Sequence, residues 1–144
     1  MADSFNPETV WEPFGAFSQT VIGGTGQVVY LKGQVSLDQT GTIVGAGDMR
    51  MQVQQVLTNI QTVLATMNGR MSDIVSLSQF TTDIQAFMQS GDIRQQFFTA
   101  PFPVTTTLEI TSLYDPALVI EITAIAEIPV ERFKKPAAAL PMHQ

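Results

Sequence analysis

A carboxylate, Glu121, stands between Ile120 and Ile122 in the run ALVIEITAIAEIP, which otherwise reads as a buried β-strand. An unpaired carboxylate in apolar surroundings is costly to keep charged, so such a residue needs a partner or a task. The rest of the inventory narrows the field. There are no cysteines, which removes disulfides, thiolate nucleophiles and thiolate-held metals. The single histidine, His143, is the penultimate residue, a tail position outside any Ser-His or Cys-His arrangement. No cluster of His, Asp and Glu has metal-ligand spacing, so no metal is expected. The glycine-rich Gly23-Gly24-Thr25-Gly26 lacks the GK[ST] ending and the following helix of a phosphate cradle.

The elements that must position Glu121 follow from periodicity. AFSQTVIGG and GTGQVVYLKGQVSLD read as a β-hairpin turning at residues 23–26. Asp48 is placed to cap a helix whose apolar residues Val53, Val56, Leu57, Ile60, Val63, Leu64 and Met67 form one stripe, with Asn68-Gly69 as its C-cap. DIVSLSQFTT is a strand. Asp83 opens a shorter helix broken near Ser90-Gly91, PVTTTLEITSL is a strand, and ALVIEITAIAEI returns after the turn at Tyr114-Asp115-Pro116. The expected order is β-β-α-β-α-β-β. Thr105, Thr107 and Glu109 share one face of their strand, and Val119, Glu121 and Thr123 share one face of theirs.

Composition sets the scale. The chain has 144 residues, 44% hydrophobic and only 14% charged. A typical soluble domain is roughly 25% charged, so part of this surface is expected to be hidden against copies of the same chain. A net charge of −6 disfavours nucleic acid as a partner. The N-terminal residues lack the pattern of a secretory signal, and no apolar run approaches the ~20 residues that span a membrane. A cytoplasmic protein without membrane contact is expected. Residues 129–144, with three of the seven basic residues, read as a tail held against something, a neighbouring subunit among the candidates.

The blocks GAFSQTV, LKGQVSLDQTG, VLTNIQTVLATMNG, FFTAPFPVTTTLEI and VIEITAIAE, in that order, resemble successive signatures of the Rid (YjgF) family of reactive-intermediate deaminases. The likeness runs from about Gly15 to Glu127, which makes 1–128 the Rid-like domain. It implies an α+β fold like that of chorismate mutase, a homotrimer with a central β-barrel and outer helices, and clefts at the subunit interfaces. It also implies hydrolysis of small imines and enamines without a cofactor. Glu121 falls on the family's cleft glutamate, which positions the attacking water; the alternative is a solvated edge-strand glutamate.

This chain departs from the family pattern around that cleft. Thr105 takes the place of the substrate-gripping arginine, and a hydroxyl cannot replace a bidentate guanidinium. Phe17 stands where a tyrosine is usual, and Gly91 where an asparagine is frequent. Before the family's glycine, here Gly33, a small residue is usual, and here it is Lys32. Sharing a strand face with Val28 and Tyr30, Lys32 either snorkels to water or brings to the cleft the charge absent at 105. Three function classes stay open. One is a Rid-type hydrolase or tautomerase with altered substrate, using Glu121 and Lys32 as catalytic groups and Phe17, Gly33, Gly91, Thr105 and Thr107 to bind. The second is a trimer that binds a small metabolite without turnover. The third is an interaction protein.

Overall fold

The first helix forms where a carboxylate can start it. In the computed structural model, which describes residues 2–137, Asp48 accepts a hydrogen bond from the Met51 amide at 3.1 Å and α1 spans Met49–Ala65. Val53, Val56, Leu57, Ile60 and Leu64 are fully buried, while Val63 lies at the rim. Asn68 ends the turn in the left-handed region (φ 59°), and the Gly69 amide returns to the Leu64 carbonyl at 2.8 Å.

The expected hairpin does not form. Strand β1 (Asp3–Phe5), unseen in the sequence, pairs antiparallel with β2 (Thr20–Ile22), whereas β3 (Gln27–Tyr30) pairs with β6 (Ile120–Ile128). The glycines between β2 and β3 bind a carboxylate of the same chain: the Gly24 amide donates to both oxygens of buried Glu127, at 2.9 and 3.0 Å. Pairing β3 with β6 puts Val29 beside Ala126 against the core, which satisfies both apolar faces.

The main sheet has the order β3-β6-β4-β5, with β4 at Ile74–Thr81 and β5 at Val104–Glu109. β6 is antiparallel to β3 and β4, and β4 is parallel to β5. That parallel pair needs a crossover, supplied by α2 (Ile84–Met88) and α3 (Gly91–Gln95). Asp83 caps α2 through the Ala86 amide at 3.1 Å, and the break falls at Ser90 as expected. α1 packs on one face of the sheet over Leu77, Ile120, Ile122, Ala124 and Ala126. Among the described residues no helix covers the other face, and Tyr30 (79% exposed), Leu108 (49%) and Val28 (41%) stand on it. The sheet of one chain is open and closes no barrel, so the architecture is α+β.

The first residues of the tail are held against their own chain. The guanidinium of Arg132 forks onto the buried carboxylate of Asp73 at 2.6 and 2.8 Å, and the Lys134 amide donates to the Met67 carbonyl at 3.0 Å. His143 lies outside the described residues.

Candidate functional site

β3 does not run straight into the loop that follows. Tyr30 lies opposite Ile125 and Gln34 opposite Ile122, so three residues of one strand face two of the other. That extra residue is a bulge, and it consists of the Lys32-Gly33 region. The bulge presses the glycine onto Glu121. A Cβ at Gly33 would collide with the Glu121 carboxylate and stand 3.0 Å from Thr123 Oγ1. Only glycine leaves room for the carboxylate, which is half-buried beside it.

Lys32, Gly33 and Glu121 line one cavity of about 950 Å³, closed on the far side by Gln55 and Asn59 of α1 and by Tyr114. Lys32 therefore shares the cavity of Glu121, although it is exposed and the two form no ion pair among the described residues. Phe17, Gly91, Thr105 and Thr107 are brought together elsewhere. They line a second cavity, of about 410 Å³, with Trp11, Phe14 and Arg94. Trp11, Phe14 and Phe17 pack as a triad with ring centroids 5.2–5.9 Å apart, two of the three contacts edge-on.

Register explains the separation. Thr107 is opposite Gln79, which is opposite Ile122, so these three side chains share the helix-covered face. Gln79 is buried and donates to Thr107 Oγ1 at 2.8 Å. Glu121 is opposite Phe80, which is opposite Leu108, on the bare face. The predicted site residues thus form two half-sites.

Two supports of the first half-site escaped sequence reasoning. Gln52, fully buried in α1, donates to the carbonyls of Gly45 and Ala117 (2.8 and 2.7 Å) and accepts from the Val119 amide (2.9 Å). It thereby fixes the chain entering β6 two residues before Glu121. Asp38 organises the loop on the cavity rim, its Oδ1 accepting from the Thr40 and Thr42 amides and the Thr40 hydroxyl at 2.7–3.0 Å. The Thr40 hydroxyl first, then the backbone amides, hold its carboxyl below its ordinary value of 3.8. A polar residue inside an apolar helical stripe was the signal for Gln52. Arg94, in the second half-site, gave no signal beyond being a basic residue on a short helix.

Comparison with known proteins agrees with this fold. The family model described as Endoribonuclease L-PSP matches residues 8–128. The chain belongs to that family, the Rid or YjgF proteins. It is 32% identical over 102 residues to a protein of Dermatophagoides farinae named 2-iminobutanoate/2-iminopropanoate deaminase, covering 71% of this chain and 78% of that one. It is 30% identical over 120 residues to a RutC family protein of Pyrococcus horikoshii, covering 83% and 92%. Among solved structures, the Rid-family protein YyfB of Yersinia pestis superposes with a TM-score of 0.76 at 29% identity, covering 88% of this chain and 98% of that one.

Proposed function

We propose that the chain works as a homotrimer in which Glu121, Lys32 and Gly33 of one subunit face Phe17, Gly91, Thr105 and Thr107 of the next, and that this cleft hydrolyses a small imine or enamine. The observation that carries the reading is the split of the site into two half-sites on opposite faces of one sheet. They do not meet within a chain, and a second copy laid on the bare face around Tyr30 and Leu108 can bring them together. Three sheets joined through that face would build the central barrel that one chain lacks. The low charge content supports a surface hidden in this way.

In this cleft Glu121 takes a proton from water as the water oxygen adds to the imine carbon. The proton passes to the nitrogen to give a carbinolamine; Glu121 then takes the hydroxyl proton and passes it to the same nitrogen, the C–N bond breaks with its electron pair leaving as ammonia, and the carbonyl forms. Lys32, on the bulge, orients the substrate. Moving a proton between carbon and nitrogen without adding water would make the same site a tautomerase. The name of the Dermatophagoides relative supports the hydrolytic form. A net charge of −6 argues for a small molecule over RNA, despite the nuclease in the family's description. A cytoplasmic setting accompanies the reading, in keeping with a chain free of cysteine. One observation favours binding without turnover: at position 105 the second half-site offers only a hydroxyl.

Subunit mixing tests the shared cleft. Glu121→Gln disables one half, and Gly91→Trp fills the other, where the nearest atom to a new Cβ is 3.6 Å away. Each variant alone should release no ammonia from imines the parent hydrolyses. Trimers refolded from an equal mixture should regain about a quarter of the parent rate, since random assembly rebuilds one intact cleft in four. No recovery in mixed trimers of confirmed composition would contradict the reading.

A further inference from the structure

The arginines of this chain differ in what they hold. Arg50 forks onto Asp92 at 2.8 and 3.0 Å, and Arg132 forks onto Asp73. Arg94 has no ion pair or side-chain hydrogen bond among the described residues, and its Nε is buried without a partner. Its guanidinium carbon sits 4.5 Å from the centroid of the buried Phe87 ring, which fixes the group without satisfying its donors. Burial lowers its affinity for the proton, yet a guanidinium stays charged at neutral pH. Unsatisfied donors on a desolvated cation mark a place for an anion.

The surroundings say which anion. Arg94 lies in the cavity walled by Trp11, Phe14 and Phe17, with the hydroxyls of Thr105 and Thr107 at its strand side. Gly91 makes the room: Arg94 Nη2 is 3.6 Å from where a Cβ at 91 would stand, so a larger side chain there would compete with the guanidinium for space. A volume of about 410 Å³ falls in the range of pockets for small organic ligands.

We propose that Arg94 is the receptor for the carboxylate of a small acid whose flat, unsaturated or aromatic body stacks among Trp11, Phe14 and Phe17. The charge absent from β5 at Thr105 is thus supplied from α3, three residues after a glycine that admits it. As a statement about the substrate this rests on the cleft proposed above. The anion site itself is complete within one chain.

Trp11 is the only tryptophan of the chain, so its fluorescence reports directly on the pocket. Titration of the full-length protein with benzoate should give a saturable change, and benzamide, its neutral counterpart, should bind at least tenfold more weakly. Arg94→Met should weaken benzoate at least tenfold and leave benzamide unchanged. Arg94→Lys should fall between, keeping the charge and losing the fork. Gly91→Asn should weaken benzoate by crowding the guanidinium. If Arg94→Met loses its fold by circular dichroism, Arg94→Lys and Gly91→Asn decide. Equal affinity for benzoate and benzamide, or benzoate binding unmoved by these variants, overturns the proposal. Benzoate binding through Arg94 without hydrolysis of any imine leaves the anion site standing and overturns the enzymatic reading. Hydrolysis of imines with no preference for benzoate does the reverse.

Discussion

Thr107 and Glu121 stand on opposite faces of the same sheet, with β4 between their strands. Thr107 faces the helical layer through Gln79, and Glu121 faces the side that no helix covers among the described residues. Neither can move to the other face without a one-residue register slip that would also expel Ile122 from the core. In the cleft proposed above, another copy brings the two together. The mass by sedimentation should be about three times the 15.7 kDa of one chain. Tyr30→Asp, on the bare face, should lower it. A parent mass near that of one chain would contradict the shared site.

Gly33 tests the placement of Glu121 from the other side. Gly33→Ala drives a methyl into the carboxylate, and overpacking of this kind costs about 1–3 kcal/mol. Stability should fall by that amount in urea titration, and turnover should fall much further, because the carboxylate is displaced. Unchanged turnover would mean that the position of the carboxylate does not matter.

Gln52 is expected to act through β6. Gln52→Met keeps the volume but strips hydrogen bonds from two carbonyls and one amide around Ala117 and Val119. The Ala117 and Gly45 carbonyls keep the Gly47 and Asp48 amides as donors, so only the Val119 amide is left unpaired, and a loss of about 1–3 kcal/mol is expected in chemical denaturation. A variant as stable as the parent would show that water replaces the glutamine.

Much of this was legible in the sequence because local patterns decide it. The stripe of α1 and the caps at Asp48 and Asp83 depend on near neighbours, and the structure has them where expected. The hairpin failed because strand pairing is a long-range choice: β2 took a partner from Asp3–Phe5, too short to show a period. Lys32 and Glu121 line one cavity, but the bulge after Tyr30, not the alternation read along β3, sets Lys32 there. The equal footing given to Thr105 and Glu121 hid their opposite faces, since each strand's alternation is readable but the phase between strands is not. Arg94 was invisible because its role comes from burial and an absent partner, which no spacing encodes.

Acid should loosen the rim of the Glu121 cavity. Asp38 is held below its ordinary value of 3.8 by the Thr40 hydroxyl and neighbouring amides. Its contribution to loop order is fully present above that ordinary value and is lost as pH falls through the lowered one. Amide exchange at Thr40 and Thr42 should therefore rise, after correction for intrinsic rates, only below about pH 4. Asp38→Asn should show the loosened loop at neutral pH. Protection that is independent of pH in the parent would contradict the assignment.

If Glu121 activates water on an imine or enamine, replacing it with glutamine should stop the release of ammonia. Ammonia release is measured for the parent and for Glu121→Gln against a panel of small imines, enamines and unsaturated acids. At least one compound should be hydrolysed by the parent well above the buffer rate. A fall on the order of a hundredfold or more is expected in the variant, the scale of a lost general base, with the oligomer intact. A parent that accelerates no member of the panel, or a Glu121→Gln variant as fast as the parent, would contradict this role for Glu121.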